Sequence, residues 1–101
     1  MNCSYLAFEG IDGSGKTTLI NELSNKLTES NVDFKIVREP GGSKLGEGIR
    51  ELLLSHDYNV EPTSEALLMS ASRAQLIKEI VKPAINNGQL VITDRSAYSS
   101  V

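Results

Sequence analysis

Phe8-Glu9-Gly10-Ile11-Asp12-Gly13-Ser14-Gly15-Lys16-Thr17-Thr18 places a glycine-rich turn between an apolar run and a stretch of helical periodicity. Residues 10–17 fit the pattern G-x-x-x-x-G-K-[ST], and a strand before with a helix after is the setting in which that pattern cradles a polyphosphate. The glycines let the backbone curl so that successive N–H groups point inward. The helix that follows adds the positive end of its dipole. Lys16 carries a mobile charge to the β- and γ-phosphates, and the Thr17 hydroxyl is a ligand for Mg²⁺. The residues expected to hold the triphosphate are Gly10, Ile11, Asp12, Gly13, Ser14, Gly15, Lys16, Thr17 and Thr18. The loop predicts binding of a nucleoside triphosphate with Mg²⁺.

Outward from this loop, strand and helix signals alternate. Ser4–Phe8 reads as a buried strand, and Leu23 and Leu27, with Leu19 or Ile20, predict a helix from Lys16 to Glu29, closed at Ser30-Asn31. Phe34–Arg38 is a second strand, followed by Glu39-Pro40-Gly41-Gly42, too rich in Pro and Gly for regular structure. Leu45, Ile49, Leu52 and Leu53 mark a second helix. A long third helix opens at Thr63-Ser64-Glu65, with Leu67, Ala74, Ile77, Val81 and Ile85 on one side, and Pro83 should kink or end it. After the Asn86-Asn87-Gly88 turn, Leu90–Thr93 is a third strand that ends at Asp94. This order predicts right-handed βαβ units, an α/β fold with a parallel sheet flanked by helices. Ligands of such sheets bind at the carboxyl ends of the strands. The glycine loop, Glu39-Pro40-Gly41-Gly42 and Asp94-Arg95 all fall there, which points to one shared site.

The 101 residues suit one small domain; 40% belong to the apolar set, and 13 acids against 10 bases give a net charge of −3. That balance argues against disorder and against a nucleic-acid-binding face. The longest apolar runs, Tyr5–Phe8 and Ala66–Met69, fall far short of the roughly 20 residues of a membrane span. With no signal-peptide pattern and a single cysteine, Cys3, the expectation is a soluble cytoplasmic protein. The chain stops at Tyr98-Ser99-Ser100-Val101, just past a strand, so it is expected to be the N-terminal piece of a longer polypeptide.

Asp94, at the end of an apolar strand, is placed as carboxylates near a nucleotide-bound metal are; a turn or helix-cap role is the alternative. Taken together, Phe8–Thr18, Arg38-Glu39-Pro40-Gly41-Gly42, Leu45-Gly46-Glu47-Gly48-Ile49-Arg50, Ser70-Ala71-Ser72-Arg73-Ala74-Gln75 and Asp94-Arg95 resemble, in order and spacing, the thymidylate kinases of the bacterial type. The resemblance runs from Cys3 to Val101 and implies a P-loop NTPase fold like that of nucleoside monophosphate kinases. Residues 1–101 would then be the N-terminal part of a single kinase domain, truncated before the lid.

What the resemblance implies is transfer of the γ-phosphoryl group of ATP, with Mg²⁺, to dTMP, giving dTDP. Arg50 and Arg95 match positions that grip the 5′-phosphate, a task suited to the guanidinium fork. Arg73 matches the position that hydrogen-bonds the thymine edge, and Asp12 the acidic residue facing the sugar. Glu39 and Pro40 begin the loop that walls the monophosphate pocket, with Pro40 cis in the family. Asp94, Ser99 and Ser100 fall among its lining positions. Lys16, Arg95 and Asp12 are the expected catalytic set, and Thr17 and Asp94 the expected metal ligands.

Two positions depart from the family pattern: Met69 stands where a phenylalanine usually meets the thymine, and Ser96 where an aromatic residue or histidine follows Asp-Arg. Gly13 stands where some thymidylate kinases carry a catalytic arginine; the bacterial type supplies it from a lid beyond residue 101, so little turnover is expected of these residues alone. The resemblance also implies a homodimer packed through the second and third helices. Two alternatives stay open: a kinase for another nucleoside monophosphate or a deoxynucleoside, and a catalytically incomplete nucleotide-binding fragment. His56, in a polar connection, is assigned no role.

Overall fold

The computed structural model of the protein describes residues 4–10 and 15–96. Three parallel strands, β1 (Tyr5–Gly10), β2 (Phe34–Glu39) and β3 (Leu90–Ser96), form a sheet in the order β1-β3-β2. Helix α1 (Lys16–Glu29) links β1 to β2. Helices α2 (Lys44–Leu54) and α3 (Pro62–Leu76), a π-helical turn over Ile77–Val81 and α4 (Lys82–Asn86) return the chain to β3. The parallel α/β architecture read from the sequence is the one observed. Among the described residues no helix is long and apolar enough to cross a membrane.

The strands run further than their apolar runs. β1 extends to Gly10, β2 to Glu39 and β3 to Ser96, so Glu39 and Arg95 stand on strands rather than in loops, and Asp94 lies within β3 rather than at its end. The ladder explains this: β3 is paired on both sides, and its register sets Glu9 and Glu39 beside Arg95. Backbone hydrogen bonding to a central strand continues past the point where hydrophobicity fades.

Strand alternation then sorts the side chains by face. Tyr5, Ala7, Glu9, Val91, Thr93, Arg95, Lys35, Val37 and Glu39 share one face by register; Leu6, Phe8, Ile92 and Asp94 share the other. The first face is closed by the long helical segment, with Val37, Leu76, Val81, Ala84 and Val91 in the core and Tyr5, Ile80 and Ile85 packed against it. Phe8, on the second face, lines a shallow groove with Leu19 and Leu23 of α1.

Pro83 neither ends nor breaks the helix; the structure accommodates it with the π-helical turn. Lys82 donates its N–H to the carbonyl of Ile77, five residues back, so the ladder has already shifted where proline brings no donor. That shift also rotates the buried face. Leu76, Val81 and Ala84 point inward, whereas Leu67, expected on the core side, is 66% exposed, and Ala74 is also exposed. A regular 3.6-residue period cannot anticipate an inserted residue.

Candidate active site

Lys16, expected to meet the triphosphate, is only 5% exposed. It starts α1, whose N-cap, Gly15, sits at φ 89°, a left-handed conformation in which only glycine is unstrained. From there Lys16 Nζ reaches the carbonyl oxygens of Arg95 (3.1 Å) and Gly10 (3.4 Å) and lies 2.5 Å from Asp94 Oδ1. Asp94 Oδ1 is buried with no hydrogen-bond donor aligned on it; the lysine faces it as a charge while donating to the carbonyls. A buried carboxylate oxygen of this kind fits a hard cation. Thr17 and Thr18 are exposed in the first turn of α1. Among the described residues no three His, Cys, Asp or Glu side chains gather around a point; an ion beside Asp94 would take its other ligands from a hydroxyl, water and phosphate. Ile11, Asp12, Gly13, Ser14, Ser99 and Ser100 lie outside the described residues.

On the opposite face of the sheet, Glu39 is 3% exposed and accepts four hydrogen bonds. Arg73 Nε reaches Oε1 at 2.6 Å. Oε2 takes Thr93 Oγ1 at 2.8 Å, Arg95 Nε at 3.0 Å and Tyr5 Oη at 3.3 Å. Arg95 also donates through Nη1 to Glu9 (2.8 Å) and through Nη2 to Tyr5 Oη (3.1 Å), with its guanidinium carbon 6.0 Å from the Tyr5 ring centre. Two of the expected acceptor-binding arginines are thus tied to one carboxylate.

Burial pushes the Glu39 carboxyl up, but hydrogen bonds from Arg73, Arg95 and Thr93 outweigh it and hold the group below the ordinary glutamate range. For Arg95, burial works against the charge, and hydrogen bonds to Glu9, Glu39 and Tyr5 more than restore it, raising its pKa. A lowered carboxyl pKa means that the unfolded chain takes up the proton first as pH falls. The stability that Glu39 contributes is therefore complete above the unfolded value of about 4.3 and drains away as pH drops through the lower folded value. Urea denaturation at pH 7, 5 and 3.5 should show the midpoint falling mainly below pH 5. Glu39→Gln should flatten that fall.

The loop after Glu39 is fastened at several points. The Glu39-Pro40 peptide is cis. Arg50 Nη1 donates to the Pro40 carbonyl at 3.1 Å, and Gly41 N–H donates to the buried Ser72 hydroxyl at 3.1 Å. Gly42 N–H donates to Glu47 at 2.8 Å, and Arg38 forms an ion pair with the same carboxylate. The Arg38 hydrogen bond, then that of Gly42, holds the Glu47 carboxyl below its ordinary range. Ser43 caps α2 by accepting from Gly46 N–H at 2.9 Å. Gly42 has φ 85°, and a Cβ there would stand 2.6 Å from Leu76 Cδ1, so both the turn and its packing on α3 need glycine.

The structure therefore brings Lys16 to Asp94, Glu39 to Arg73 and Arg95, and Pro40 to Arg50. Met69 is half-buried one helical turn before Arg73. Sequence reasoning missed Tyr5, Thr93, Ser72 and Glu47. The first two become visible only once register puts them on the face of Glu39. Ser43, which caps α2, is a residue type from which a helix start beside this loop could have been read.

A family model for thymidylate kinase matches residues 8–101. Thymidylate kinases of Fervidobacterium nodosum and Thermosipho africanus are 53% and 50% identical over 97 residues, 96% of this chain and 48% of each relative. The crystal structure of thymidylate kinase from Ehrlichia chaffeensis superposes with a TM-score of 0.76 at 39% identity, over 93% of this chain and 52% of that one. The chain spans about half the length of the curated relatives it matches. On the family match and the fold together, the chain belongs to the thymidylate kinase family.

Proposed function

We propose that the protein takes part in ATP-dependent phosphorylation of dTMP to dTDP, with residues 1–101 as the N-terminal part of a single kinase domain. The observation that carries this reading is the pairing, at the carboxyl end of one sheet, of a buried phosphate-loop lysine on one face with a carboxylate-bridged arginine pair on the other. The triphosphate belongs to the loop from Gly10 to Thr18, with Lys16 against its outer phosphates. Mg²⁺, held by Thr17 and Asp94, would neutralise charge on those phosphates. Arg95 and Arg50 take the acceptor phosphate, Arg73 and Met69 the base, and Pro40 walls the pocket. Asp12, Ser99 and Ser100 complete the acceptor set by resemblance. In-line transfer between two anions requires cations fixed before the substrates meet, and the arginines are so fixed here.

A second copy of the chain is the proposed partner. Leu45 and Leu54 of α2 and Leu67 of α3 are more than half exposed, an apolar surface suited to homodimer contact. The proposed location is the cytoplasm, from the single cysteine and the nucleotide substrates.

Titration calorimetry of the chain with dTMP, dUMP, dCMP and dGMP in Mg²⁺ buffer tests the acceptor. Saturable binding with dTMP tightest is the expected result. Tighter binding of another monophosphate would reassign the acceptor, and binding of none would remove this reading from the chain.

A further inference from the structure

We infer that Glu39 is a positioning residue that acts on the acceptor only through Arg73 and Arg95, and that the Tyr5 hydroxyl is the second positioning group, holding the Glu39–Arg95 pair in place. This inference rests on the acceptor reading above. Glu39 is committed to the protein rather than to a ligand: it is only 3% exposed, Oε1 accepts from Arg73, and Oε2 accepts three donors. Its grip on both arginines is at Nε, the nitrogen nearest the aliphatic stem. Gripping Nε fixes the guanidinium plane and leaves the terminal nitrogens for other work. Of the five N–H groups of Arg95, one goes to Glu39, one to Glu9 and one to Tyr5. One N–H remains on each terminal nitrogen, the fork that an anionic oxygen pair engages.

Tyr5 enters this arrangement from β1, two strands away from Glu39, and touches both partners. It donates to Glu39 Oε2 and accepts from Arg95 Nη2, and its ring lies beside the guanidinium. Thr93 closes the set from the strand between them. One carboxylate, steadied by two hydroxyls, thus sets the separation and tilt of two arginine forks before any ligand arrives. The arginine expected at the phosphate end of dTMP and the one expected at its base end share a single anchor.

The test joins calorimetry with dTMP to ¹H–¹⁵N spectra of the arginine Nε–H groups in the unmodified chain and in Glu39→Gln and Tyr5→Phe. In Glu39→Gln the Arg73 and Arg95 Nε–H signals should shift or broaden together, and dTMP affinity should fall about tenfold or more, the change expected when a charge-assisted hydrogen bond is lost. Tyr5→Phe keeps the ring and should fold; it should move the Arg95 signal, spare that of Arg73 and weaken dTMP several-fold. Thymidine, which lacks the phosphate, should lose less affinity than dTMP in Tyr5→Phe, a split that general loosening of the fold would not produce. Arginine signals unmoved in both variants, or dTMP affinity within twofold of the unmodified chain in both, would overturn the inference. Weakened dTMP binding with unmoved arginine signals would overturn it too, by making Glu39 a direct ligand contact. Failure of the unmodified chain to bind dTMP while the arginine signals respond as stated would instead overturn the acceptor reading, leaving the anchor itself standing.

Discussion

Arg95→Ala is expected to abolish measurable dTMP binding, an affinity loss of at least about 100-fold, and to lower folding stability by about 3 kcal/mol. Both effects follow from one geometry. The side chain is 20% exposed and donates to three partners, two of which, Glu39 and Tyr5, are themselves fixed in the sheet. Removing the guanidinium leaves Glu39 buried with Arg73 and Thr93 as its remaining polar donors besides Tyr5. Breaking a buried pair from one side costs more than never having made it, because the remaining charge stays desolvated. The persistence of Arg73 keeps the cost toward the lower end of the range for such losses. Arg95→Lys separates the two effects: it restores charge but not the planar fork, so it should recover part of the stability and little of the binding. Calorimetry and urea denaturation on both variants check this, and dTMP binding by Arg95→Ala within threefold of the unmodified chain would remove Arg95 from the acceptor site.

The second large effect is structural. Leu76→Ala should destabilise the fold by about 3 kcal/mol, lowering the melting temperature by roughly 15 °C for a domain of this size. Leu76 has no solvent exposure and sits at the junction of α3 with the π-helical turn, in the cluster with Val37, Val81, Ala84 and Val91. Its Cδ1 also lies against Gly42, in the turn that carries the Pro40 carbonyl to Arg50. Truncation opens a cavity next to backbone already anchored by Ser72 and Glu47, which cannot collapse to fill it. A thermal melt followed by circular dichroism reads the change. A loss under about 1 kcal/mol would mean that the long helical segment packs on the sheet less tightly than described.

Much of the chemistry could be read locally. The pattern from Gly10 to Thr17 reads as a phosphate loop because the function expected of such a pattern depends on residues adjacent in the chain: glycines for curvature, a lysine for charge, a threonine for the metal. The strand order of events, the parallel sheet and the clustering of Glu39, Asp94 and Arg95 at one end also followed from alternating signals along the sequence. The structure moved Glu39 and Arg95 from loops onto strands and carried β3 past Asp94, since pairing on both sides of β3 extends the ladder beyond the apolar run. It also turned Leu67 and Ala74 outward, because a π-helical turn ahead of Pro83 offsets the period on which their burial was predicted.

By itself, then, the sequence determined the parallel α/β fold and, through the order of strands and helices, that Glu39, Asp94 and Arg95 meet at the carboxyl end of one sheet. Only the tertiary structure decided how they are shared out. Asp94 and Arg95 are neighbours in the chain, yet strand alternation sends one to Lys16 and the other to Glu39, on opposite faces. The donors around Glu39 come from β1, β3 and α3, residues 5, 73, 93 and 95. No local pattern encodes such a set, because strand register placed Tyr5, Thr93 and Arg95 and the packing of α3 placed Arg73, and both exist only once the chain has folded.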